Sequence, residues 1–302
     1  MQLYAAHANR TADQLMADRY ATPTLLLMEA AGQGAAAAIV ALGLPTRSAV
    51  VLCGSGNNGG DGYVVARVLH LAGWAVAVLQ THPEGPTTPD ALVNYRICQA
   101  MGLRMEGWTG QLPAPIVEAL RQGAVCVDAL LGTGTTGPVR GAAAEVVAAV
   151  RALSPYTVAL DVPSGLCADT GQVATEPIAA AHTLSFGLAK PCHYLTPAAS
   201  YCGQVQVVPI GLLPAVVGAL PPTAEVLTPA WLAHTYRPRP RESHKGTFGH
   251  VLVVGGQAGM AGAPALAAAA AVAAGAGLVS AYIPKAVQPA FHHALLEAMS
   301  IA

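Results

Sequence analysis

The sequence predicts an α/β protein, a three-layer αβα sandwich built around a mostly parallel sheet. Three observations predict this fold. Short apolar segments with strand character alternate with helical segments of about ten to fifteen residues, as in βαβ units. Glycine-rich loops follow several of these strands, as in Rossmann-like sheets that bind ligands at strand carboxyl ends. The chain is 53% hydrophobic and only 10% charged, so it can bury a large core.

Two helices open the chain. The first carries Leu15 and Met16 among polar residues, with Thr11 as its predicted N-cap. The second begins at Pro23 and ends at Gly43. The predicted strands that follow are, in order, "SAVVLCG", "WAVAVLQ", "GAVCVDALLG", "YTVALDVPSG", "AHTLSFG" and "GQVQVVPIG". The predicted helices among them are "DGYVVARVLHLAG", "ALVNYRICQAMG" and "GAAAEVVAAVRAL".

After this series the alternation of strand and helix patterns stops and the sequence becomes rich in proline, which sets the predicted domain boundaries. Residues 1–212 form the first predicted domain. Residues 213–245 are rich in proline and have little strand pattern, so they are predicted to connect two domains. Residues 246–302 begin a fresh strand, Gly-rich loop, helix and strand, a segment that is short for an independent α/β domain.

Composition excludes several classes of protein. The formal charge is −1 with no long basic run, which argues against a nucleic-acid binder or a membrane-surface binder held by charge. The six cysteines form no CxxC pair, and they are predicted to be reduced, mostly buried thiols of a cytoplasmic protein. The uncharged stretch Gly262–Pro284 is mostly Ala and Gly, so it is predicted to be a buried helix and strand rather than a membrane span.

The strongest chemical feature is the segment "VVLCGSGNNGGDGYVVARVL". Gly54, Gly56 and Gly59 fit the pattern G-x-G-x-x-G between a strand and a helix, which lets backbone N–H groups approach a phosphate. The loop also carries Asn57, Asn58 and Asp61, which a pyrophosphate cradle does not require, although asparagines are common in turns as well. No Walker lysine is present, which argues against P-loop phosphate transfer.

Polar residues also follow later strands. Asp128 and Asp161 each end a predicted strand, and Ser164 follows just beyond Asp161. Each aspartate could instead cap a turn, but strand ends of neighbouring parallel strands face one crevice, which favours a shared site. Lys190, the only lysine among the first 244 residues, follows the strand "TLSFG"; the alternative is a solvated surface lysine.

Together these motifs resemble the YjeF N-terminal domain family, the NAD(P)H-hydrate epimerases. The matching stretches keep the family's order over residues 10–212 and are "LLLMEAAGQGAAAAI", "CGSGNNGGDGYVVAR", "VDALLGTG", "LDVPSGLCADTG", "TLSFGLAKP" and "GQVQVVPIG". The resemblance implies substrates, NADHX and NADPHX, which are NADH and NADPH hydrated at nicotinamide C6. It also implies one K+ per subunit, a homo-oligomer and a cytoplasmic role in nicotinamide-nucleotide repair.

The resemblance assigns site residues by motif. Asp161 and Lys190 would be catalytic, although the stretch "PCHYLTP" after Lys190 is less glycine-rich than the family pattern. Asn58, Asp128 and Ser164 would bind K+, a hard cation that takes such oxygens. The residues that would contact the substrate are Asn57, Asn58, Gly59, Gly60, Asp61, Gly132, Thr133, Gly134, Thr135, Thr136, Gly137, Pro138 and Asp161.

Residues 246–302 resemble the opening βα units of the ribokinase-like, ADP- or ATP-dependent NAD(P)H-hydrate dehydratase domain. In a complete domain of that family, Ala263 would contact the dehydratase substrate. The family's catalytic aspartate lies in a Gly-x-Gly-Asp loop, and no such loop follows Gly277. The 302-residue chain is therefore expected to lack dehydratase activity, whereas a complete relative would carry both activities.

Two other functions compete with the epimerase. Some relatives of this fold are non-catalytic dimerisation or scaffold domains, for example in mRNA decapping, but these would not need Asp161, Asp128 and the Asn-rich loop together. An NAD(P) dehydrogenase would need an acidic residue after the second strand to bind ribose, and "VAVLQTHPEG" has no clear one at the strand tip.

Overall fold

The computed structural model describes residues 1–134, 137–236 and 238–302 and divides them into two compact units. The first unit runs from Met1 to Thr228 and the second from Pro229 to Ala302. The sequence predicts a connection between domains over residues 213–245, whereas residues 213–228 belong to the first unit. A helix at Pro214–Gly218 packs on the first helix, and a two-residue strand at Ala224–Glu225 pairs with the start of the chain.

The first unit alternates helices and strands. Its helices are α1 (Ala6–Tyr20), α2 (Thr24–Ala41), α3 (Asn57–Leu71), α4 (Pro89–Ala100), α5 (Ala114–Arg121), α6 (Gly141–Arg151), α7 (Ala199–Cys202) and α8 (Pro214–Gly218). Its strands are β1 (Gln2–Leu3), β2 (Ser48–Cys53), β3 (Ala75–Gln80), β4 (Arg104–Gly107), β5 (Val125–Ala129), β6 (Thr157–Leu160), β7 (His182–Phe186), β8 (Gln204–Val208) and β9 (Ala224–Glu225).

Seven of these strands form one parallel sheet in the order β4-β3-β2-β5-β6-β7-β8. The order reverses direction at β2, because β3 and β4 lie on one side of it and β5 to β8 on the other. The loops that leave β2 and β5 therefore turn toward opposite faces of the sheet. They leave a crevice between them at the carboxyl ends of these two strands. Such a switch point is where open α/β sheets bind ligands.

Helices cover both faces of the sheet, which confirms the predicted three layers. Successive residues of β2 point to opposite faces, so Val51 packs with Ile39 and Tyr63 of α2 and α3. Val50 packs on the other face with Ile116 of α5 and residues of α6. Because both faces are buried, the central strands are apolar at nearly every position.

The structure differs from the predicted elements where tertiary packing or contacts with distant residues determine the secondary structure. Strand β4 and helix α5 were not predicted, since β4, "RMEG", is a half-exposed edge strand with little apolar pattern. Helix α1 begins at Ala6 rather than near Thr11. The Thr11 hydroxyl lies inside the helix and donates to the His7 carbonyl oxygen at 3.1 Å, so it is not the N-cap.

The second unit contains a three-stranded parallel sheet. Its strands pair in the order β10-β11-β12, and Phe291 lies at the centre of its small core. The stretch Gly262–Pro284 forms a helix and a strand, as predicted, but the helix is not buried as expected, since only Pro264, Ala265 and Ala268 of it are buried. The elements are α9 (Pro229–Thr235), β10 (His250–Val254), α10 (Gly262–Ala273), β11 (Leu278–Tyr282), α11 (Gln288–Ala294) and β12 (Met299–Ile301).

Helix α2 is the one helix of the described chain with the length and hydropathy that a membrane span requires. One face of it is buried, with Leu27, Ala31, Ala35 and Ile39 in the main core cluster of the first unit. Its apolar composition is thus accounted for by core packing in this unit.

Candidate active site

The Gly-rich loop lies between β2 and α3, against the start of the loop after β5. The Gly54 N–H donates to the Ala129 carbonyl oxygen at 3.0 Å. A Cβ atom on Gly54 would lie 1.9 Å from the Leu130 carbonyl oxygen, and one on Gly59 would lie 2.0 Å from the Gly54 carbonyl oxygen. These glycines are therefore required by close backbone packing, which aims the first turn of α3 at the crevice.

Asp128, the fourth residue of β5, joins this strand to Ser164 in the loop that follows β6. Asp128 is fully buried, and one carboxylate oxygen accepts from the Ser164 hydroxyl at 2.7 Å and from the Leu130 N–H at 3.2 Å. The other oxygen accepts from the Ser164 N–H at 2.8 Å. Burial raises the pKa of Asp128, with these hydrogen bonds opposing the rise. The structure thus brings Asp128 and Ser164 into direct contact.

Asp161 lies at a strained turn directly after β6. Its φ is +64°, and the Val162 N–H donates to the Leu160 carbonyl oxygen at 2.8 Å, which defines a three-residue γ-turn. Such a positive φ is unfavourable for a residue with a Cβ. The turn directs the Asp161 side chain away from the strand, toward Lys190.

Lys190 is buried rather than solvated, so the surface alternative is wrong. Its side chain is 1% exposed, and Nζ donates to Asp161 Oδ1, to the Ser185 hydroxyl at 3.0 Å and to the Phe186 carbonyl oxygen at 3.2 Å. All three ammonium protons therefore have partners. The Phe186 N–H also donates to Asp161 Oδ1 at 3.2 Å, whereas Oδ2 makes no hydrogen bond to a described residue.

His193, which the sequence analysis did not single out, links the two residues of this ion pair. It closes the short 3-10 turn at Pro191–His193 and is 3% exposed. Its Nδ1 accepts from the Lys190 N–H at 3.2 Å, and its Nε2 lies 2.9 Å from the Asp161 carbonyl oxygen. The only sequence signal was a histidine three residues after the lysine.

Asp61 and Asp13 add two carboxyl groups near the pair. Burial, and then the charges of Asp161 and Asp13, raise the pKa of Asp61 well above its ordinary value. Burial, and then Asp161, raise the pKa of Asp13 from 3.8 to about 6, with Lys190 opposing. Asp61 was predicted as a site residue, but Asp13 was missed because it lies in the N-terminal helix, far from every Gly-rich motif.

Asn58 carries the clearest unfilled hydrogen-bonding capacity at this edge of the sheet. Both polar atoms of its side-chain amide are buried, and neither has a hydrogen-bond partner among the residues that the structure describes. It lies beside Gly132, where an added Cβ would come 3.3 Å from the Asn58 side chain. Buried polar groups without partners are uncommon, so the amide faces a place where a ligand or ion would satisfy it.

The remaining predicted residues occupy different surroundings. Gly60 packs closely against Met28 of α2, where an added Cβ would lie 2.6 Å from the Met28 side chain. Like any glycine, it can offer only backbone groups to a ligand. Gly132, Thr133 and Gly134 follow β5, and Gly137 and Pro138 are exposed. Thr135 and Thr136 lie outside the described residues. Ala263 lies in the first turn of α10, in the second unit.

No group of three or more His, Cys, Asp and Glu side chains within the described ranges could hold a metal ion. A cation here would therefore need amide, hydroxyl or carbonyl oxygens as well as a carboxylate. The six cysteines are free; five are buried and Cys167 is half-buried, which agrees with the predicted reduced thiols.

Comparison with known proteins gives consistent matches. The family model described as YjeF-related protein N-terminus matches residues 24–192. The chain is 40% identical over 205 residues to the NAD(P)H-hydrate epimerase of Rhodopirellula baltica, covering 67% of this chain and 82% of that protein. It is 37% identical over 293 residues to the bifunctional NAD(P)H-hydrate repair enzyme Nnr of Moorella thermoacetica, covering 95% of this chain.

A crystal structure of the yeast protein ynu0 is similar with a TM-score of 0.56 and 25% identity, covering 64% of this chain and 83% of the yeast chain. The match to the Moorella enzyme covers 55% of that protein. The chain thus spans about half the length of the bifunctional relatives.

Proposed function

The chain belongs to the family of YjeF-related protein N-termini, and on that premise we propose that it epimerises the R and S forms of NADHX and NADPHX at nicotinamide C6. The observation that carries the proposal is the buried Asp161–Lys190 pair at the carboxyl end of the sheet. The Gly-rich loop and the start of α3, which suit the phosphates of a dinucleotide, lie at the same edge.

Inversion at C6 requires a bond at that carbon to break and re-form, by loss of the hydroxyl or by opening of the ring. Either route moves a proton on oxygen. Asp161 exchanges this proton through Oδ2, while Lys190 and the Phe186 N–H hold Oδ1 in place. A positioned carboxylate contributes about a hundredfold to ten-thousandfold to such a step.

Neighbouring carboxyl groups prepare the site for proton exchange near neutral pH. The pKa of Asp13, raised to about 6, lies closer to neutrality than that of an ordinary carboxyl. Asp61 lies at the start of α3 and also titrates above its ordinary range. Both carboxyls therefore stay protonated to a higher pH than ordinary carboxyls do, with the Lys190 ammonium opposing each shift.

The test compares the parent with Asp161→Asn on enriched (R)-NADHX, following the epimer ratio by chromatography. The variant keeps the side-chain shape but removes the base, so its rate should fall by at least about a hundredfold. Asp18→Asn, an exposed change on α1, is the matched control and should keep the parent rate. A rate for Asp161→Asn within about twofold of the parent would show the assignment to be wrong.

K+ is proposed to bind through Asn58, Asp128 and Ser164. The support is chemical: the buried Asn58 amide oxygen has no partner among the described residues, and no described cation pairs with the buried Asp128 carboxylate. A hard cation accepts amide, hydroxyl and carboxylate oxygens, and it would offset charge at the loops that approach the substrate. When bound, it would supply positive charge near the substrate's phosphates.

K+ binding to the folded state should raise the melting temperature by mass action when K+ replaces Na+ at constant ionic strength. Asn58→Ala and Asp128→Ala should each abolish that rise. Asn58→Ala is the safer variant, because its side-chain amide makes no hydrogen bond to a described residue. Equal melting curves of the parent in the two salts would remove K+ from the proposal.

We propose that the 302 residues of this sequence do not by themselves catalyse dehydration of NADHX. The second unit has three strands, and apolar side chains such as Leu252, Val254 and Tyr282 remain exposed. A parallel sheet of this kind needs cover on both faces. Purified chain given (S)-NADHX with ADP or ATP should therefore regenerate no NADH absorbance.

A further inference from the structure

Asp161 needs support that its own sequence does not supply. It sits at the centre of a γ-turn with φ of +64°, a conformation that persists only where the surroundings hold it. Its N–H is held by the Leu184 carbonyl oxygen at 2.8 Å, and its Oδ1 is held by Lys190. The remaining polar group of its backbone, the carbonyl oxygen, is held by the His193 ring.

The hydrogen bonds define the protonation state of this ring. Nδ1 accepts from a backbone N–H, so it carries no proton, and Nε2 must then carry the proton that it donates to the Asp161 carbonyl oxygen. Burial, and next the Lys190 ammonium, lower the pKa of His193 to about 4, with Asp161 opposing. The ring is therefore neutral over the range in which an enzyme of this kind works. It packs edge to face with the Tyr194 ring, the two ring centroids lying 6.4 Å apart.

We propose that His193 is a positioning residue that clamps the backbones of Asp161 and Lys190 together and so fixes the carboxylate for proton transfer. The inference rests on the proposed epimerase function. A neutral imidazole suits this position because it presents one acceptor and one donor on opposite sides of a rigid ring. A protonated ring would place a hydrogen on Nδ1 against the Lys190 N–H and break the clamp.

The two hydrogen bonds have different consequences. The bond to the Asp161 carbonyl oxygen acts on the strained turn that carries the reacting group, whereas the bond from the Lys190 N–H acts on a residue already held by three side-chain bonds. Loss of the first should therefore cost more activity than loss of the second. Small displacements of a catalytic group lower rates by as much as about a hundredfold.

Two amide variants separate these bonds. In His193→Gln the longer side chain places its N–H₂ near the position of Nε2, which keeps the donor to Asp161. In His193→Asn the shorter side chain places its oxygen near the position of Nδ1, which keeps the acceptor for Lys190 but does not reach Asp161. Each variant loses one buried hydrogen bond, so their melting temperatures should fall by similar amounts. His182→Gln, at the amino end of β7, is the matched control and should keep the parent kinetics.

The assay measures kcat and KM for (R)-NADHX together with the melting temperature. We expect His193→Asn to lose about 10- to 100-fold in kcat with KM within about twofold, and His193→Gln to recover most of that loss. Equal kcat losses in the two variants, or rates that simply follow the melting temperatures, would overturn the positioning role. So would a parent-like kcat in His193→Asn.

Failure of the proposed function would be distinguishable from failure of this inference. If the parent protein does not epimerise (R)-NADHX, the proposed function is wrong. The hydrogen bonds of His193 are then tested separately, through the ring nitrogen resonances of 15N-histidine-labelled protein. The ring resonances of His193 are assigned as those that disappear from the spectrum in His193→Gln. In the parent, they should be those of a neutral ring protonated at Nε2 from about pH 8 down to about pH 5. A ring protonated at Nδ1, or at both nitrogens, in that range would overturn the clamp.

Discussion

Gly54 occupies a position where two strand-end loops approach too closely for any side chain. The nearest contact for an added Cβ is a carbonyl oxygen at 1.9 Å, and a backbone atom cannot rotate away as a side chain can. Gly56, two residues later in the same loop, has open space around an added Cβ and no positive φ. The two glycines of one motif therefore have different physical reasons for being there.

Gly54→Ala should lower the free energy of unfolding by about 3 kcal/mol, at the upper end of the usual cost of overpacking. Gly56→Ala is the control and should unfold within about 0.5 kcal/mol of the parent, because it is a substitution without a clash. Urea unfolding of both proteins measures the difference. Equal stabilities would mean that the loop does not lie against β5 as described.

The raised pKa of the half-buried Asp13 carboxyl makes the stability of the folded protein depend on pH. Its pKa is raised from 3.8 to about 6 by burial and by Asp161. The folded state therefore binds this proton more tightly than the unfolded state does. The resulting stability is fully present below about pH 4 and is lost as the pH rises through about 6.

Asp13→Asn removes that ionisation, so it should raise the melting temperature at about pH 8 and change it little at about pH 4. Thermal melts of the parent and the variant across this range test the sign. A constant difference between the two proteins at every pH would contradict the assigned pKa shift. A stabilised variant with reduced epimerase activity would be typical of a residue kept for function.

Helix α1 is positioned at the element scale by contacts from distant parts of the chain. The Tyr4 N–H donates to the Ala189 carbonyl oxygen at 2.9 Å, and the Ala6 N–H donates to the Asp169 carboxylate at 2.6 Å. The carboxylate satisfies an N–H group of the first turn and complements the helix dipole. These contacts place the helix that carries Asp13 beside the turn at Asp161.

Asp169→Ala should lower the free energy of unfolding by about 1 kcal/mol, the usual cost of losing a helix cap. Asp18→Ala, at the exposed far end of α1, removes a carboxylate of the same type and should have a smaller effect. Chemical unfolding compares the two variants. A larger loss for Asp18→Ala would show that the capping contact does not hold the helix.

At the scale of the whole molecule, the first unit carries every described residue of the proposed epimerase site. It also has its own seven-stranded sheet and two core clusters on opposite faces of that sheet. A chain of this size and burial can fold by itself. The hydrogen bonds described for Asp161, Lys190 and Asp128 all join residues of the first unit.

Residues 1–228 alone should therefore fold cooperatively and retain kcat/KM for (R)-NADHX within about threefold of the 302-residue chain. Thermal unfolding and the epimer assay on the shortened protein provide the measurements. The control is a protein ending at residue 212, the boundary predicted from sequence. It lacks α8 and β9, which pack on α1 and β1, and should be less stable. Loss of folding in the 1–228 protein would contradict the division into two units.

The sequence by itself determined the features that depend on local pattern. Strand and helix alternation predicted the layers and the parallel sheet, because apolar periodicity follows burial directly. Asp128 near the end of β5, and Asp161 and Ser164 after β6, were predicted to share one site, because strand ends of a parallel sheet meet at one edge. Resemblance to a family then supplied the roles of these residues.

Only the tertiary structure decided the features that depend on residues distant in the chain. It buried Lys190 against Asp161, brought Asp13 of the first helix to the site, and replaced the expected Thr11 cap with a carboxylate 163 residues from Ala6. It also assigned His193 to the strained turn. The physical reason is that burial, ion pairing and capping are satisfied by whichever groups the fold brings into contact, and local sequence pattern does not specify those partners.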